Sequence, residues 1–387
     1  MRFWRAVLGL LAGVPALGAQ QCPNLFHVLL GISQADTDRH LAEVHRQLFH
    51  GDPGREAIYY PVGASEAYVA DVANRDTRTE GLSYGMMIAV QLDHREEFER
   101  IWRFAQDRLL HADGPDQGYF AWHADFSGRQ LDPGPAPDGE EWFATALLFA
   151  SARWQVAAYE ESAQQLLHVM IHQHDREGRV ATDMFDRKSH LPVFAPGGEG
   201  SKFTDASYQL PEFYEIWARR ARDPGDRAFY ALAAVASRAA WHREANPVTG
   251  LMPDYSTFDG VPHARRGHHD QFEYDAWRTL AYPSIDWAWW QVDPWQRAQA
   301  DRVLHFLDQA GTGADRFKLD GTPLSSTYSA GLWAMAGVAG MAASPEVARP
   351  FVRRLWVMSV PDGEYRYYNG VLMMLGLLEA GGRFRVY

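Results

Sequence analysis

The chain has little cysteine, a deficit of positive charge and no long apolar run beyond its first residues. Its one cysteine, Cys22, cannot form an internal disulfide or a thiolate metal cage. Lys and Arg number 37 against 49 Asp and Glu, and the net charge of -12 repels phosphate backbones and anionic lipid, which argues against nucleic acid as a partner. The most apolar later segment, 330–343, is rich in small residues and falls short of the roughly 20 residues a membrane span needs. What is abundant is aromatic, with 14 Trp, 17 Tyr and 20 Phe. In an acidic chain such rings serve as large core side chains or as flat platforms for a weakly charged ligand such as sugar. A composition 47% hydrophobic and 22% charged supplies a substantial globular core.

Arg2 and Arg5 precede the apolar stretch Ala6 to Leu17, and Ala16-Leu17-Gly18-Ala19 offers small residues for cleavage, the layout of an export signal. We expect residues 1–19 to be a removable signal peptide and residues 20–387 a single catalytic domain, periplasmic or secreted, off the membrane and monomeric. Ala19-Gln20-Gln21 before Cys22 lacks the small apolar residues of a lipoprotein cleavage site.

Helical patterning recurs twelve times, near 33–50, 79–93, 94–111, 139–155, 158–174, 207–222, 225–242, 270–290, 293–310, 327–341, 344–358 and 368–380. Asp223-Pro224, Asp293-Pro294 and Ser344-Pro345 read as helix starts, with the side chain capping free amides and Pro in the first turn. Odd-numbered helices are amphipathic, as in Glu96 to Phe104. Even-numbered ones are apolar or small nearly all round, as in Trp142 to Ala152, Ser329 to Ala343 and Asn369 to Leu378. A helix apolar on every side must be buried. Six buried helices alternating with six amphipathic ones predict an all-α, (α/α)6 barrel, with two stacked bundles or a solenoid as the other arrangements.

In such a barrel the starts of the inner helices gather at one mouth. Glu80, Asp138, Glu140, Glu141, Asp205, Tyr208, Asp270, Glu273, Asp275, Tyr328, Tyr367 and Tyr368 all fall at these starts. Acids there ordinarily cap amides and suit the helix dipole, the reading we give Glu140 and Glu141. Glu80 and Asp275 sit among apolar and aromatic neighbours, where an uncompensated carboxylate is costly. Two carboxylates facing each other across an aromatic cleft are what glycosidic cleavage needs, one protonated to supply the leaving oxygen and one ionised to activate water or attack carbon.

Six runs carry a resemblance: Arg78 to Met87, Gly118 to Trp122, Gly134 to Glu141, Ser207 to Glu215, Tyr274 to Arg278 and Tyr367 to Asn369. In order and over nearly the whole mature chain they resemble glycoside hydrolase family 8, nearest its xylan-acting members and above all the reducing-end xylose-releasing exo-oligoxylanases. The resemblance implies an (α/α)6 barrel and an inverting mechanism on β-1,4-xylo-oligosaccharides. It implies Glu80 as general acid, Asp275 as general base, and Asp138 as the carboxylate that binds and distorts the sugar. Tyr208 and Arg278 are implied to position the water and hold Asp275 ionised, and Trp122, Tyr367 and Tyr368 to wall the sugar site. In exo-acting members a loop before a late inner helix closes the leaving-group side and bears a His. The matching stretch here, Leu324 to Ser329, has Tyr328 in its place, which leaves an endo-β-1,4-xylanase as the alternative.

No cofactor is expected. His168 and His172 have the spacing of a zinc helix but lack the Glu that would follow the first, and they read as solvated, so no metal is assigned. His268 and His269 read as a solvated turn. A non-catalytic oligosaccharide-binding protein is the non-enzyme alternative, and the presence of both Glu80 and Asp275 argues against it.

Overall fold

The fold is that of a computed structural model describing residues 19–175 and 182–387. All of the expected signal segment except Ala19 lies outside these residues. Thirteen α-helices are present among the described residues: α1 (Leu25–Leu30), α2 (Gln34–His50), α3 (Thr79–Leu92), α4 (Arg95–Phe104), α5 (Pro137–Trp154), α6 (Ala157–Val169), α7 (Pro211–Arg220), α8 (Pro224–Glu244), α9 (Tyr282–Trp290), α10 (Trp295–Ala310), α11 (Ala330–Ala339), α12 (Pro345–Trp356) and α13 (Arg366–Ala380). None is long and apolar enough to cross a membrane.

Helices α3, α5, α7, α9, α11 and α13 form a closed inner ring. α3 packs between α13 and α5, α9 between α7 and α11, and α11 against α13. The remaining neighbours, α5 and α7, meet through Trp142 against Phe213 and through Trp217 Nε1, which donates to Thr145 Oγ1 at 3.0 Å. Helices α2, α4, α6, α8, α10 and α12 cover this ring. The expected (α/α)6 barrel is therefore the fold. Its cause is visible in α11, whose residues 331–339 are all buried, while α4 alternates buried Phe98, Ile101 and Trp102 with charged outward positions.

Local departures have physical causes. The pattern over 270–290 is broken: a 3-10 segment, Asp275–Leu280, precedes α9, with Pro283 in the first turn of the true helix. The last turn of the pattern over 94–111 widens into a π-helical turn, Ala105–Leu109. Asp223 caps α8 as expected, accepting from Gly225 and Asp226 amides. Asp293 likewise accepts from the amide of Trp295. Ser344 does not cap α12, because its hydroxyl donates to Asp301 instead. Buried Cys22 accepts from Trp289 Nε1 at 3.1 Å, and burial pushes its thiol up to about 12.

Short antiparallel strands feed the mouth. β1 (Tyr59–Val62) pairs with β2 (Glu66–Val69), and β3 (Asp76–Arg78) with β4 (His123–Asp125), which pairs with β5 (Gln130–Asp132); β6 (Thr204–Asp205) pairs with β7 (Tyr255–Ser256). β3 runs directly into α3, so Glu80 stands two residues past a fixed strand.

Candidate active site

Three inner-ring starts converge on one buried cation. Arg278, 1% exposed, donates from Nη1 to Glu80 Oε2 at 3.1 Å, to Asp138 Oδ2 at 3.3 Å and to the Tyr84 hydroxyl at 2.7 Å, and from Nη2 to Asp275 Oδ1 at 3.2 Å. Arg278 thus reaches Asp275, as the resemblance implied, and pairs with Glu80 and Asp138 as well. The 3-10 form of 275–280 brings residues three apart nearly into line, which allows Arg278 to reach Asp275 while its other nitrogen crosses to α3 and α5. Since one rigid guanidinium touches both, the facing oxygens of Glu80 and Asp275 stand under roughly 9 Å apart, compatible with the spacing that leaves room for a water.

The three acids differ in environment. The side chains of Asp138 and Glu80 are 8% and 14% exposed, that of Asp275 is 31% exposed. Burial raises Glu80 above the usual carboxylate range, with Arg278 pulling back and Asp275 adding repulsion. Burial also raises Asp138, to about 7, against the same arginine and with the charges of Glu80 and Asp275 adding to the rise. Burial and mutual repulsion thus favour the protonated forms of Glu80 and Asp138, and the arginine opposes both.

Two glycines permit this approach. A Cβ on Gly81 would lie 2.6 Å from the Tyr367 hydroxyl, and one on Gly139 would overlap Thr79 Oγ1. The residues after Glu80 and Asp138 are therefore small so that α13 and α3 can close on the carboxylates. Tyr367 donates to Glu80 Oε1 at 2.9 Å. Tyr368 donates to the Tyr274 carbonyl at 3.1 Å and its ring lies beside Trp277. Tyr208 lies under the Arg278 guanidinium, in parallel with Phe194. Half-buried Trp122 stacks on His123 and faces Arg78, while its carbonyl accepts from the Thr79 amide at 3.0 Å, fixing it beside the start of α3.

Tyr328 is not among these residues. It is 49% exposed, and the charged group acting on its hydroxyl is Arg354 of the outer helix α12, not one of the three acids. Glu140 and Glu141 also differ from their expected capping role. Glu140 accepts from the Phe120 amide at 2.9 Å and Glu141 from the Tyr214 hydroxyl at 2.8 Å; both are fully buried, and burial raises both well above the carboxylate range. His168 and His172 are not simply solvated, since both face Asp226. A cavity lined by Trp102, Phe120, His168 and Asp226 lies among the outer helices, away from the three acids.

Several site residues escaped the sequence reading. Tyr84, an Arg278 acceptor, looks like core in a helix buried on all sides. Asp254 accepts from the amides of Glu273 and Ala276 and faces His269 Nδ1 at 3.0 Å, so His269 is no free turn residue. Asp205, by contrast, was placed at the mouth by the sequence; it receives the amide and hydroxyl of Ser207, and burial, with the nearby Asp275 charge, raises it well above the carboxylate range.

A helical double-ring barrel whose mouth gathers three carboxylates around one arginine, walled by aromatic rings, defines a carbohydrate-cleaving enzyme of the glycoside hydrolase class. Comparison with known proteins narrows this. The description "Glycosyl hydrolases family 8" matches residues 64–382, and the chain belongs to that family. It is 39% identical over 374 residues, 94% of this chain and 96% of the relative, to the reducing-end xylose-releasing exo-oligoxylanase of Paenibacillus barcinonensis. The structure of that enzyme complexed with xylose superposes with a TM-score of 0.90 over 95% of this chain and 98% of the other, at 38% identity. A catalytic-mutant family 8 xylanase from Teredinibacter turnerae, in complex with xylohexaose, gives a TM-score of 0.91 at 40% identity, covering 95% and 98% of the two chains.

Proposed function

We propose that the chain is an inverting glycoside hydrolase that removes xylose from the reducing end of short β-1,4-xylo-oligosaccharides. The carrying observation is the clustering of Glu80, Asp138 and Asp275 on Arg278. In this reading Glu80 is the general acid: burial favours its protonated form, and Tyr367 holds the oxygen that Arg278 does not. It delivers that proton to the departing glycosidic oxygen. Asp275, the most exposed of the three, is the general base that takes a proton from the attacking water, beside Tyr208. Asp138 grips the hydroxyls of the sugar ahead of the scissile bond and favours its distortion. A single displacement on a β-linkage then yields the α-anomer, without a covalent intermediate. Trp122, Tyr367 and Tyr368 wall the sugar site. We further propose export of the chain to the periplasm or medium and action as a monomer.

Support for the exo mode comes from the relative of Paenibacillus barcinonensis, whose name states that activity. Support for the second reading, an endo-xylanase, comes from the Teredinibacter turnerae xylanase and from Tyr328, which leans outward where exo-acting members carry a closing His. The test offers xylohexaose labelled at the reducing end alongside polymeric xylan. Early release of labelled xylose with unchanged polymer viscosity is expected. A fast viscosity drop with mixed oligomers selects the endo reading. Loss of both activities in Glu80→Ala and in Asp275→Ala, by roughly 10²- to 10⁴-fold with the helical circular dichroism spectrum intact, is expected in either case.

A further inference from the structure

At the far end of α3 from the three acids, roughly 20 Å along the helix, three imidazoles surround one carboxylate. Glu97 stands in the first turn of α4. Its Oε2 lies 3.0 Å from His45 Nε2, and its Oε1 lies 2.7 Å from His50 Nε2 and 3.2 Å from His94 Nδ1. His45 and His50 come from the last two turns of α2, and His94 from the turn joining α3 to α4. The cluster thus draws on three elements at one point. His94 starts α4 without capping it, its ring being turned to Glu97.

Glu97 is 8% exposed, and among the described residues its ion-pair partners are these three histidines. The neighbouring arginines are engaged elsewhere: Arg95 pairs with Glu99, and Arg100 with Glu96 and the Ala64 carbonyl. Among the described residues this buried carboxylate therefore has no permanent cation paired with it, which is costly unless a charge is supplied. The donor atoms of His45, His94 and Glu97 all lie within 4.8 Å of one another. In a tetrahedral zinc site with bonds of about 2.0–2.1 Å donors stand roughly 3.4 Å apart, a spacing close to that of the two histidine nitrogens from Glu97, 3.0 and 3.2 Å. His45 is nearly buried, whereas the side chains of His50 and His94 are 50% and 40% exposed, which leaves a route inward, and Asp93 and Glu96 line the same depression.

We propose that His45, His94 and Glu97 bind a divalent transition metal of the zinc class, clamping α2 to the α3–α4 turn, with His50 holding the Glu97 carboxylate from outside. Two imidazoles and a carboxylate supply three ligands and leave a fourth position for water, while His50 orients the carboxylate as a supporting partner. His168, His172 and Asp226 form a second group of possible ligands, but they offer two stacked rings, 4.0 Å apart, and His168 is 57% exposed. That group serves as the control.

The full chain, stripped by chelator and dialysed, is titrated with zinc sulfate in a calorimeter, and its thermal midpoint is recorded with and without zinc. One tight zinc per chain and a midpoint raised by several degrees are expected. Glu97→Gln and His94→Ala should each weaken binding by at least about 10-fold, because each removes a ligand. His50→Ala, at a half-exposed position that tolerates truncation, should weaken it while leaving the metal-free midpoint in place, and His168→Ala should change nothing. No zinc binding by the parent chain, undiminished binding in the three cluster variants, or loss of binding in His168→Ala alone would overturn the proposal.

Discussion

The Tyr367 phenol donates to one oxygen of Glu80 at 2.9 Å while Arg278 donates to the other at 3.1 Å, so the carboxyl is held from two sides by groups of different charge. Both contacts favour the ionised form, and burial opposes them with the larger effect. Tyr367→Phe removes one donor without disturbing the ring. Glu80 should then keep its proton to higher pH, moving the basic limb of the kcat/KM profile upward. The rate at neutral pH should fall about 10-fold because the acid is less well aimed. The check is a pH series on xylotriose; a profile that keeps its basic limb in place would remove Glu80 from the role of acid.

Among the described residues Arg278 is the cation that pairs with Glu80, Asp138 and Asp275 together. Lys at this position keeps the charge but not the planar fork, and cannot meet acids on three elements at once. Arg278→Lys should cost about 1.5–3 kcal/mol of stability at neutral pH for each charged hydrogen bond that the ammonium cannot reach. Burial raises Asp138 to about 7 and Glu80 above its usual range, so below those values they carry protons and need no counter-ion, and the deficit should narrow near pH 4. Urea unfolding at the two pH values measures both. An equal deficit at each would mean that packing, not charge, holds the cluster.

How much of this could be read from the chain depends on whether a residue's role is local. The inner helices were legible because Trp142 to Ala150 and Leu332 to Ala339 are apolar on every side, a property of the segment alone. Glu80, Asp138, Asp275 and Arg278 were legible as helix-start acids and an i, i+3 pair, sharpened by the family resemblance. The rest needed the tertiary fold. Glu140 looked like a cap, but its acceptor serves the amide of Phe120 in a loop 20 residues back. Tyr84 was hidden inside a helix with no polar face. Asp254 lies in a loop whose register with 273–276 nothing in the local sequence announces.

Glu379 on α13 is buried, one of its oxygens has no partner among the described residues, and burial raises it to about 8. Its folded value lies above its unfolded value of 4.5, so its contribution is complete below about 4.5 and is lost as pH rises towards 8. Within that window the ionisation preference costs roughly 1.4 kcal/mol per pH unit. Glu379→Gln abolishes the titration while keeping the shape. The variant should match the parent at pH 4.5 and exceed it in stability at pH 8, a gap that widening differences in thermal midpoint across the range would reveal. A pH-independent difference would show that Glu379 gains a partner on ionising.

Asp254 is placed to fix Asp275 without touching sugar. Its Oδ1 accepts from the amides of Glu273 at 3.2 Å and Ala276 at 3.1 Å, one on each side of the 3-10 start that bears Asp275. Its Oδ2 faces His269, whose ring stacks on Tyr255 of β7. The aspartate thus ties the short 275–280 segment to a strand across the mouth. A displacement of about 1 Å at a reacting group can cost on the order of 10²-fold in rate. Asp254→Ala should therefore lower kcat by about 10- to 100-fold while KM moves less than roughly 3-fold, since the sugar walls are intact. Asp254→Asn keeps an oxygen for the two amides and should recover most of the rate. Steady-state kinetics on xylotriose with both variants decides the matter: equal losses in Ala and Asn would place the effect in the His269 contact, and an unchanged kcat in Ala would show that the segment holds Asp275 unaided.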